Sequence, residues 1–248
     1  MASPDSSAIP PVRYPRPAAG TQPPYLHPPY VASTLRAPTR PLIVVPHTIS
    51  ELTGPHFTAE DLKRSTCDLT AVGSGRAVGE RIVVSGRVVD EADRPVRQTL
   101  IEIWQANAAG RYLHRSDQHH APLDPFFCGR GHVITDDQGR YRFVTVKPGA
   151  YPWGNHPNAW RPAHIHFSVF GNAFITRLVT QMYFPGDPLL PCDPIFNCTD
   201  DEQSRNRLIS LFDWETTIPA EALGFRFDIV LNGREATPRE EHAHEAGR

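Results

Sequence analysis

The sequence lacks the features that would place it in a membrane or on a nucleic acid. No apolar run approaches the ~20 residues of a bilayer-spanning helix. The net charge is −2, and because acidic and basic residues are interspersed there is no basic stripe for nucleic acid. Residues 1–20 lack the basic-then-apolar pattern of a signal peptide. We therefore expect a cytoplasmic protein without nucleic acid or membrane as a partner.

Cysteine is also scarce, with four residues in a chain of 248. In a reducing cytosol their default state is the thiol. Cys192 and Cys198 have five residues between them and no second pair, which is weak support for a thiol metal site. The sequence therefore favours neither a disulfide framework nor a cysteine-bound metal.

Prolines divide the chain, since twelve of the 26 precede His47. Proline fits neither a helix interior nor a central strand, so residues 1–46 are predicted to form a proline-rich N-terminal arm. Such an arm either moves freely or lies along a partner surface. Residues 233–248 are charged and short of apolar side chains, which predicts a flexible tail.

The region between arm and tail, residues 47–232, reads as one all-β domain. Strands are predicted over 81–89, 99–105, 133–135, 140–146, 164–170, 176–184 and 225–231, with a hairpin turn at 136–139. Helical patterns are confined to 200–212 and a short stretch at 59–64. Many short strands with Gly/Pro turns and one or two short helices indicate a β-sandwich or a barrel.

The most informative motif is a His-x-His in a strand pattern, His164-Ile165-His166. Alternate strand residues face the same side, so both imidazoles are directed at one point and Ile165 faces away. A shared metal ion is one explanation, because neutral imidazole binds zinc, copper, iron and nickel. The alternative is a pair of strand histidines bonded to nearby carbonyls.

Two tyrosines change the balance between these explanations. Tyr151 precedes Pro152, which restricts it to extended geometry, and Tyr112 follows a Gly-Arg turn at the end of a predicted strand. A phenol has a pKa near 10 and needs a strongly charged cation to become phenolate. Two phenolates with two imidazoles suit Fe(III) better than zinc or Fe(II).

The motif and its surroundings resemble the intradiol ring-cleaving dioxygenases. The resemblance is carried by Tyr151-Pro152-Trp153 and by residues 160–167, supported by residues 104–107, 123–125, 147–149, 180–184 and 186–188. It covers roughly residues 30–232 and is strongest with the iron-bearing β chains that act on 3,4-dihydroxybenzoate. The fold it implies is a β-sandwich of mixed sheets with large loops.

The resemblance also implies roles for individual residues. Those matching the iron ligands are Tyr112, Tyr151, His164 and His166, for one non-haem Fe(III) per chain. Tyr151 matches the ligand that gives way to substrate, Arg161 the arginine beside the reacting ring, and Gln181 a glutamine near that arginine. The residues matching the substrate pocket wall are Tyr30, Trp153 and Ile195.

The implied reaction inserts O2 between the hydroxyl-bearing carbons of 3,4-dihydroxybenzoate. The product is 3-carboxy-cis,cis-muconate, an intermediate of the β-ketoadipate pathway. In this family an α subunit supplies part of the pocket for the ring carboxylate, so we expect an α partner along which the N-terminal arm lies.

Three points stay open in the sequence. The substrate could be catechol, hydroxyquinol or a sulfonated catechol, although the proline-rich arm replaces the helical dimerisation segment of single-chain catechol enzymes. A non-catalytic β-sandwich binding protein without metal is the alternative from another class. Three loop histidines near Tyr112, namely His114, His119 and His120, are interpreted as having no metal role.

Overall fold

The computed structural model describes residues 18–43, 67–171 and 177–240. Its strands are β1 Arg81–Val89, β2 Leu100–Trp104, β3 Arg130–Ile134, β4 Arg140–Val146, β5 Tyr151–Pro152, β6 Trp160–Arg161, β7 His164–Phe170, β8 Arg177–Tyr183, β9 Leu211–Phe212, β10 Leu223–Arg226 and β11 Ile229–Val230. The helices are α1 Val31–Arg36, α2 Glu202–Asn206 and two 3-10 turns, Leu190–Cys192 and Phe196–Cys198. The predicted all-β class is confirmed.

Two larger sheets form the sandwich. In the first sheet β1 pairs antiparallel with β4 on one side and parallel with β10 and β11 on the other, and β9 extends β10. The second sheet is antiparallel in the order β3-β2-β7-β8. Strands β5 and β6 form a separate antiparallel pair. Because one sheet contains both parallel and antiparallel pairs, the prediction of a sandwich of mixed sheets is confirmed.

The core lies between the two sheets and is built from alternate residues of their strands. Members include Ile82 and Val84 from β1, Ile101 and Ile103 from β2, Phe143 from β4, Ile165, Phe167 and Val169 from β7, and Phe225 from β10. β-Branched and aromatic side chains pack well on a pleated surface, which explains why these segments form strands. The alternation on β7 directs its odd-numbered residues into the core and its even-numbered residues to the outer face.

The turn at 136–139 joins two sheets instead of closing a hairpin. Strand β3 pairs with β2, whereas β4 pairs with β1. The Asp136 carboxylate accepts from the Gln138 and Arg140 amides, and Gly139 has a φ of 72°. The hairpin prediction was therefore wrong, because turn chemistry reports a chain reversal and does not report the partner of each strand.

The helix predicted over 200–212 is also shorter in the structure. Asp201 caps α2 by accepting from the Ser204 amide, and the helix ends at Asn206. Leu211 and Phe212 form β9, which pairs with β10. The stretch at 59–64 lies outside the described residues.

The described parts of the arm and tail pack on the chain's own domain. Asn155 accepts from the Val31 amide at 2.8 Å and donates to the Pro29 carbonyl at 2.8 Å. The tail prediction differs from the structure over 233–240, where the Thr237 amide donates to Val230 and the Glu240 amide to Val179. Backbone hydrogen bonds to strands fix this segment without a run of apolar residues. Residues 241–248 lie outside the described ranges.

The fold also bears on disulfides and on membrane-spanning helices. All four cysteines fall in the described ranges and none forms a disulfide. Among the described helices, none has the length and apolar character required to cross a bilayer.

The core position of Ile165 gives a stability prediction. Ile165 stands between His164 and His166 in the sequence, and its side chain is fully buried in the core. Leu35 in α1 is 88% exposed. We expect Ile165→Ala to lower the free energy of unfolding by about 2–5 kcal/mol, because it removes packed methyl groups and leaves a cavity. Leu35→Ala is the control and should change it by less than about 0.5 kcal/mol. Urea unfolding measures both, and equal effects would contradict the alternation on β7.

Candidate metal centre

Strand β7 places His164 and His166 side by side on the outer face of the second sheet. Both are buried, and their ring centroids lie 4.8 Å apart. Trp104, opposite His166 on β2, stacks on that ring at 4.7 Å with an interplanar angle of 7°. The His-x-His motif therefore forms a buried pair of imidazoles whose positions are fixed by packing.

Each imidazole has its Nδ1 hydrogen-bonded to an acceptor. His164 Nδ1 donates to the Pro162 carbonyl at 2.7 Å, and His166 Nδ1 donates to the Glu240 carboxylate at 2.9 Å. A proton on Nδ1 leaves the Nε2 lone pair of a neutral ring available for a metal. Burial, followed by the charges of Arg161 and His166, lowers the pKa of His164 well below its usual value, which favours the neutral form.

Tyr151 lies on strand β5 and its hydroxyl approaches Nε2 of His164. Pro152 holds Tyr151 extended, and Tyr151 pairs with Arg161 across the short β5–β6 ladder. The Tyr151 hydroxyl lies 3.4 Å from His164 Nε2. The local Tyr-Pro sequence therefore directs this phenol to the histidine pair.

Tyr112 lies in the loop after β2 and its hydroxyl approaches Nε2 of His166. The Asn107 side chain shapes this loop by accepting from the Ala109 and Arg111 amides. Gly110, with a φ of 78°, packs so closely on the Ala150 carbonyl that a Cβ atom would clash. The Tyr112 hydroxyl lies 3.2 Å from His166 Nε2.

The four predicted ligand side chains thus converge, and their donor set fits a ferric ion. The Tyr112 and Tyr151 rings meet edge to face at 5.3 Å. Burial, followed by the nearby Tyr151, raises the pKa of Tyr112 well above its usual value, so this phenol stays neutral unless a cation binds. In the part of the chain that the structure describes, no group of three or more His, Cys, Asp or Glu is placed to hold a metal. Half of the four predicted donors are phenol oxygens.

Arg161 and Gln181 lie together beside the four donors. Arg161 Nη2 donates to Gln181 Oε1 at 2.5 Å, and the guanidinium carbon lies over the Trp153 ring at 5.3 Å. Burial, the largest single effect, lowers the pKa of Arg161, but the charge of Asp193 together with smaller contributions from Tyr183, Tyr151 and Glu240 raises that pKa well above its usual value. The guanidinium therefore keeps its positive charge inside the protein.

The residues predicted to wall the substrate pocket take part in two sets of contacts. Tyr30 packs on Trp153 with ring centroids 5.6 Å apart, so the arm reaches the site. Ile195 lies with Gln181 and Glu240 around a small cavity of about 10 Å³, and its amide donates to Asp193, the partner of Arg161.

Glu240 is a site residue that the sequence interpretation missed. It lies in the segment predicted to be flexible, yet its carboxylate holds His166, 74 residues away in the chain. Burial would raise the pKa of Glu240, but the charge and hydrogen bond of His166 lower it overall, so Glu240 is a carboxylate. No local sequence signal separates Glu240 from the neighbouring charged residues.

The loop histidines bond to their own surroundings. His114 Nδ1 meets Ser116 Oγ at 2.5 Å, and the His119 ring contacts Trp160 edge-on at 6.1 Å. Neither contact involves Tyr112.

Comparison with known proteins adds a family to this geometry. A family model described as Dioxygenase matches residues 52–233, and one described as Protocatechuate 3,4-dioxygenase beta subunit N terminal matches residues 14–48. The chain is 61% identical over 222 residues to the protocatechuate 3,4-dioxygenase beta chain of Burkholderia cepacia, covering 89% of this chain and 94% of that protein.

Two further comparisons are more distant. The protocatechuate 3,4-dioxygenase alpha chain of Pseudomonas putida is 29% identical over 209 residues, covering 79% of this chain and 97% of that protein. The crystal structure of hydroxyquinol 1,2-dioxygenase from Pseudomonas putida DLL-E4 is 24% identical with a TM-score of 0.53, covering 73% of this chain and 65% of that one. This last likeness concerns the fold alone.

The Glu240–His166 contact predicts a loss of metal affinity. Glu240→Gln keeps the size of the side chain but removes the charge that orients the His166 ring. We expect iron affinity to fall about 10- to 100-fold, as for other partners of ligand histidines. Competition with a chelator, followed by iron analysis, measures this loss. The control is Glu235→Gln, whose side chain is 75% exposed in the same segment. Iron retention equal to wild type in Glu240→Gln would contradict the role.

Proposed function

The chain belongs to the intradiol dioxygenase family, and on that premise we propose a role for each residue of the metal centre. The protein is an oxidoreductase of aromatic catabolism that inserts O2 between the hydroxyl-bearing carbons of 3,4-dihydroxybenzoate, giving 3-carboxy-cis,cis-muconate. The observation that carries this conclusion is the 61% identity over nearly the whole chain. The family implies a non-haem iron cofactor.

We propose that one Fe(III) per chain is held by Tyr112, Tyr151, His164 and His166. Supporting this, two phenol oxygens and two imidazole nitrogens with fixed Nδ1 partners meet in one partly buried place. Phenolate is a hard anionic donor suited to the ferric state. The bound iron would draw electron density from a catechol and so make its ring reactive towards O2.

The chain's own groups supply proton transfer and charge stabilisation. A catechol must lose two hydroxyl protons before both of its oxygens can act as ligands. We propose that Tyr151 Oη takes one of them, so that Tyr151 would no longer serve as a ligand, and that hydroxide from solvent takes the other. Arg161 lies opposite Tyr151 on the β5–β6 pair, and its permanent charge stabilises negative charge that develops on the ring. Gln181 holds Arg161 through the bond to Nη2.

Trp153, Tyr30 and Ile195 are proposed to wall the substrate pocket. Tyr30 reaches Trp153 because Asn155 fixes the arm on both sides of Tyr30, at the Pro29 carbonyl and the Val31 amide. The pocket would be completed by an α chain, as the related alpha chain of Pseudomonas putida suggests. Exposed Leu35, Leu42 and Ile43 make the end of the described arm apolar, which suits such a contact.

Purified protein provides the first test of this function. Phenolate ligands to Fe(III) should give a charge-transfer band in the visible and a wine-red solution. Oxygen uptake on a panel of catechols, with and without a co-expressed α chain, should favour 3,4-dihydroxybenzoate in the complex. A colourless preparation that stays inactive after ferric reconstitution would contradict the enzyme assignment. Faster turnover of catechol or hydroxyquinol by the complex would contradict only the substrate.

The role of Tyr151 can be tested separately. Tyr151→Phe removes the hydroxyl that takes a catechol proton, so we expect substrate binding to slow about 100-fold with iron still bound. Stopped-flow spectroscopy of anaerobic substrate binding measures this rate, and iron analysis measures the retained metal. Tyr25→Phe removes the hydroxyl of a tyrosine that is 42% exposed and serves as the control. Complete loss of iron in Tyr151→Phe would show that the hydroxyl is indispensable for metal binding and is not a replaceable ligand.

A further inference from the structure

The guanidinium of Arg161 is buried against a carboxylate that the proposed mechanism does not yet use. Arg161 is 3% exposed and Asp193 is fully buried. Asp193 Oδ2 accepts from Arg161 Nη2 at 3.1 Å and from Nε at 3.3 Å. A buried guanidinium needs an opposite charge with good geometry, and Asp193 supplies one.

The chain around Asp193 is built to hold this carboxylate still. Asp193 stands between the two 3-10 turns with φ −83° and ψ 110°, the extended geometry that the following Pro194 requires. The Asn197 amide and side chain both donate to the Asp193 carbonyl, at 3.0 and 2.8 Å. Phe196 in the second turn packs on Tyr183 at 5.1 Å. These contacts leave the Asp193 side chain little freedom.

Asp193, Gln181 and Tyr183 together accept the hydrogen bonds from Nε and Nη2 of the guanidinium. Besides Asp193, Arg161 Nη2 donates to Gln181 Oε1 at 2.5 Å and to the Tyr183 hydroxyl at 3.1 Å. The Tyr183 hydroxyl donates its own proton to Gln181 Oε1 at 2.7 Å. The hydrogen bonds that Arg161 donates to residues 18–43, 67–171 and 177–240 come from Nε and Nη2, and none comes from Nη1. Nη1 is therefore the donor left for substrate.

The second oxygen of Asp193 has a different partner. Oδ1 accepts from the Ile195 amide at 3.1 Å, which ties the proposed pocket wall to the same carboxylate. One side chain thus connects the charge beside the ring with the wall of the pocket.

We propose that Asp193 is a positioning residue for ring cleavage: it holds Arg161 by Nε and Nη2 so that Nη1 serves the substrate, and it anchors Ile195. This inference rests on the proposed function. Asp193 touches none of the four proposed ligands in the described structure, so its effect on the reaction passes through Arg161 and Ile195.

The main test is Asp193→Asn. An asparagine has one oxygen, so it cannot serve Arg161 and the Ile195 amide together. We expect full iron content and an unchanged visible band, with kcat/KM for 3,4-dihydroxybenzoate about 100-fold lower, the size of effect that misplacing a reacting group by about 1 Å produces. Asp68→Asn is the matched control, because Asp68 pairs with Arg81 at 2.8 Å and also accepts from the Thr70 amide. It should stay within about twofold of wild type.

A double variant separates positioning from general stability. In an Arg161→Gln background the guanidinium is absent, while the amide can still donate to Asp193. Adding Asp193→Asn there should change kcat by less than about threefold, because residues acting through one another are not additive. A second 100-fold loss in that background would overturn the proposal, as would wild-type kcat/KM in Asp193→Asn alone.

Two further measurements keep the proposal testable on its own. If Asp193→Asn does not fold, Tyr183→Phe removes a partner of the same guanidinium edge and should lower kcat/KM in the same direction by about tenfold. A crystal structure of Asp193→Asn should show the Arg161 guanidinium displaced by about 1 Å or more from its wild-type position. If the wild type turns over no catechol but the displacement is seen, the proposed function fails, and only the hold of Asp193 on Arg161 is supported. An undisplaced guanidinium overturns the role.

Discussion

The structure depends on the burial of strand β7 on both of its faces. Ile165 and Phe167 fill the core on one side, and His164 and His166 lie under cover on the other. A buried imidazole needs a partner for its ring N–H, so each histidine must have an acceptor brought to it. For His164 the chain provides the Pro162 carbonyl two residues away, and for His166 it provides a distant carboxylate.

That carboxylate makes the centre depend on both ends of the described chain. Glu240 follows a segment held by the N-terminal arm, since Gln22 Nε2 donates to the Ala236 and Thr237 carbonyls at 3.4 and 3.3 Å. Gln22 Oε1 also accepts from the Arg239 amide at 2.8 Å. A proline-rich arm and a charged tail, neither of which could form a core alone, thus close over the second sheet and present a ligand-orienting group.

Charge compensation explains the rest of the site. Arg161 and Asp193 form a buried pair whose charges cancel, and Glu240 faces the imidazole of His166. The Tyr112 phenol stays neutral until a cation binds, because burial raises its pKa. The proposed metal centre therefore pairs its buried carboxylates with a guanidinium and an imidazole, since unpaired buried charge would be costly in a protein interior. The same arrangement leaves one guanidinium nitrogen available beside the ring-binding region.

The sequence alone determined what depends on short-range geometry. A period of two predicted β1 and β7 with their observed bounds and put both histidines on one face, and the Tyr-Pro pair predicted an extended Tyr151. The family resemblance, confirmed by the comparisons, rested on these same local patterns. Only the tertiary structure decided which sheet each strand joined, and it brought Glu240 to His166 across 74 residues and Asp193 to Arg161 across 32. Backbone periodicity and proline geometry act between neighbours, whereas the partner of a buried charge is selected by packing, which no local pattern encodes.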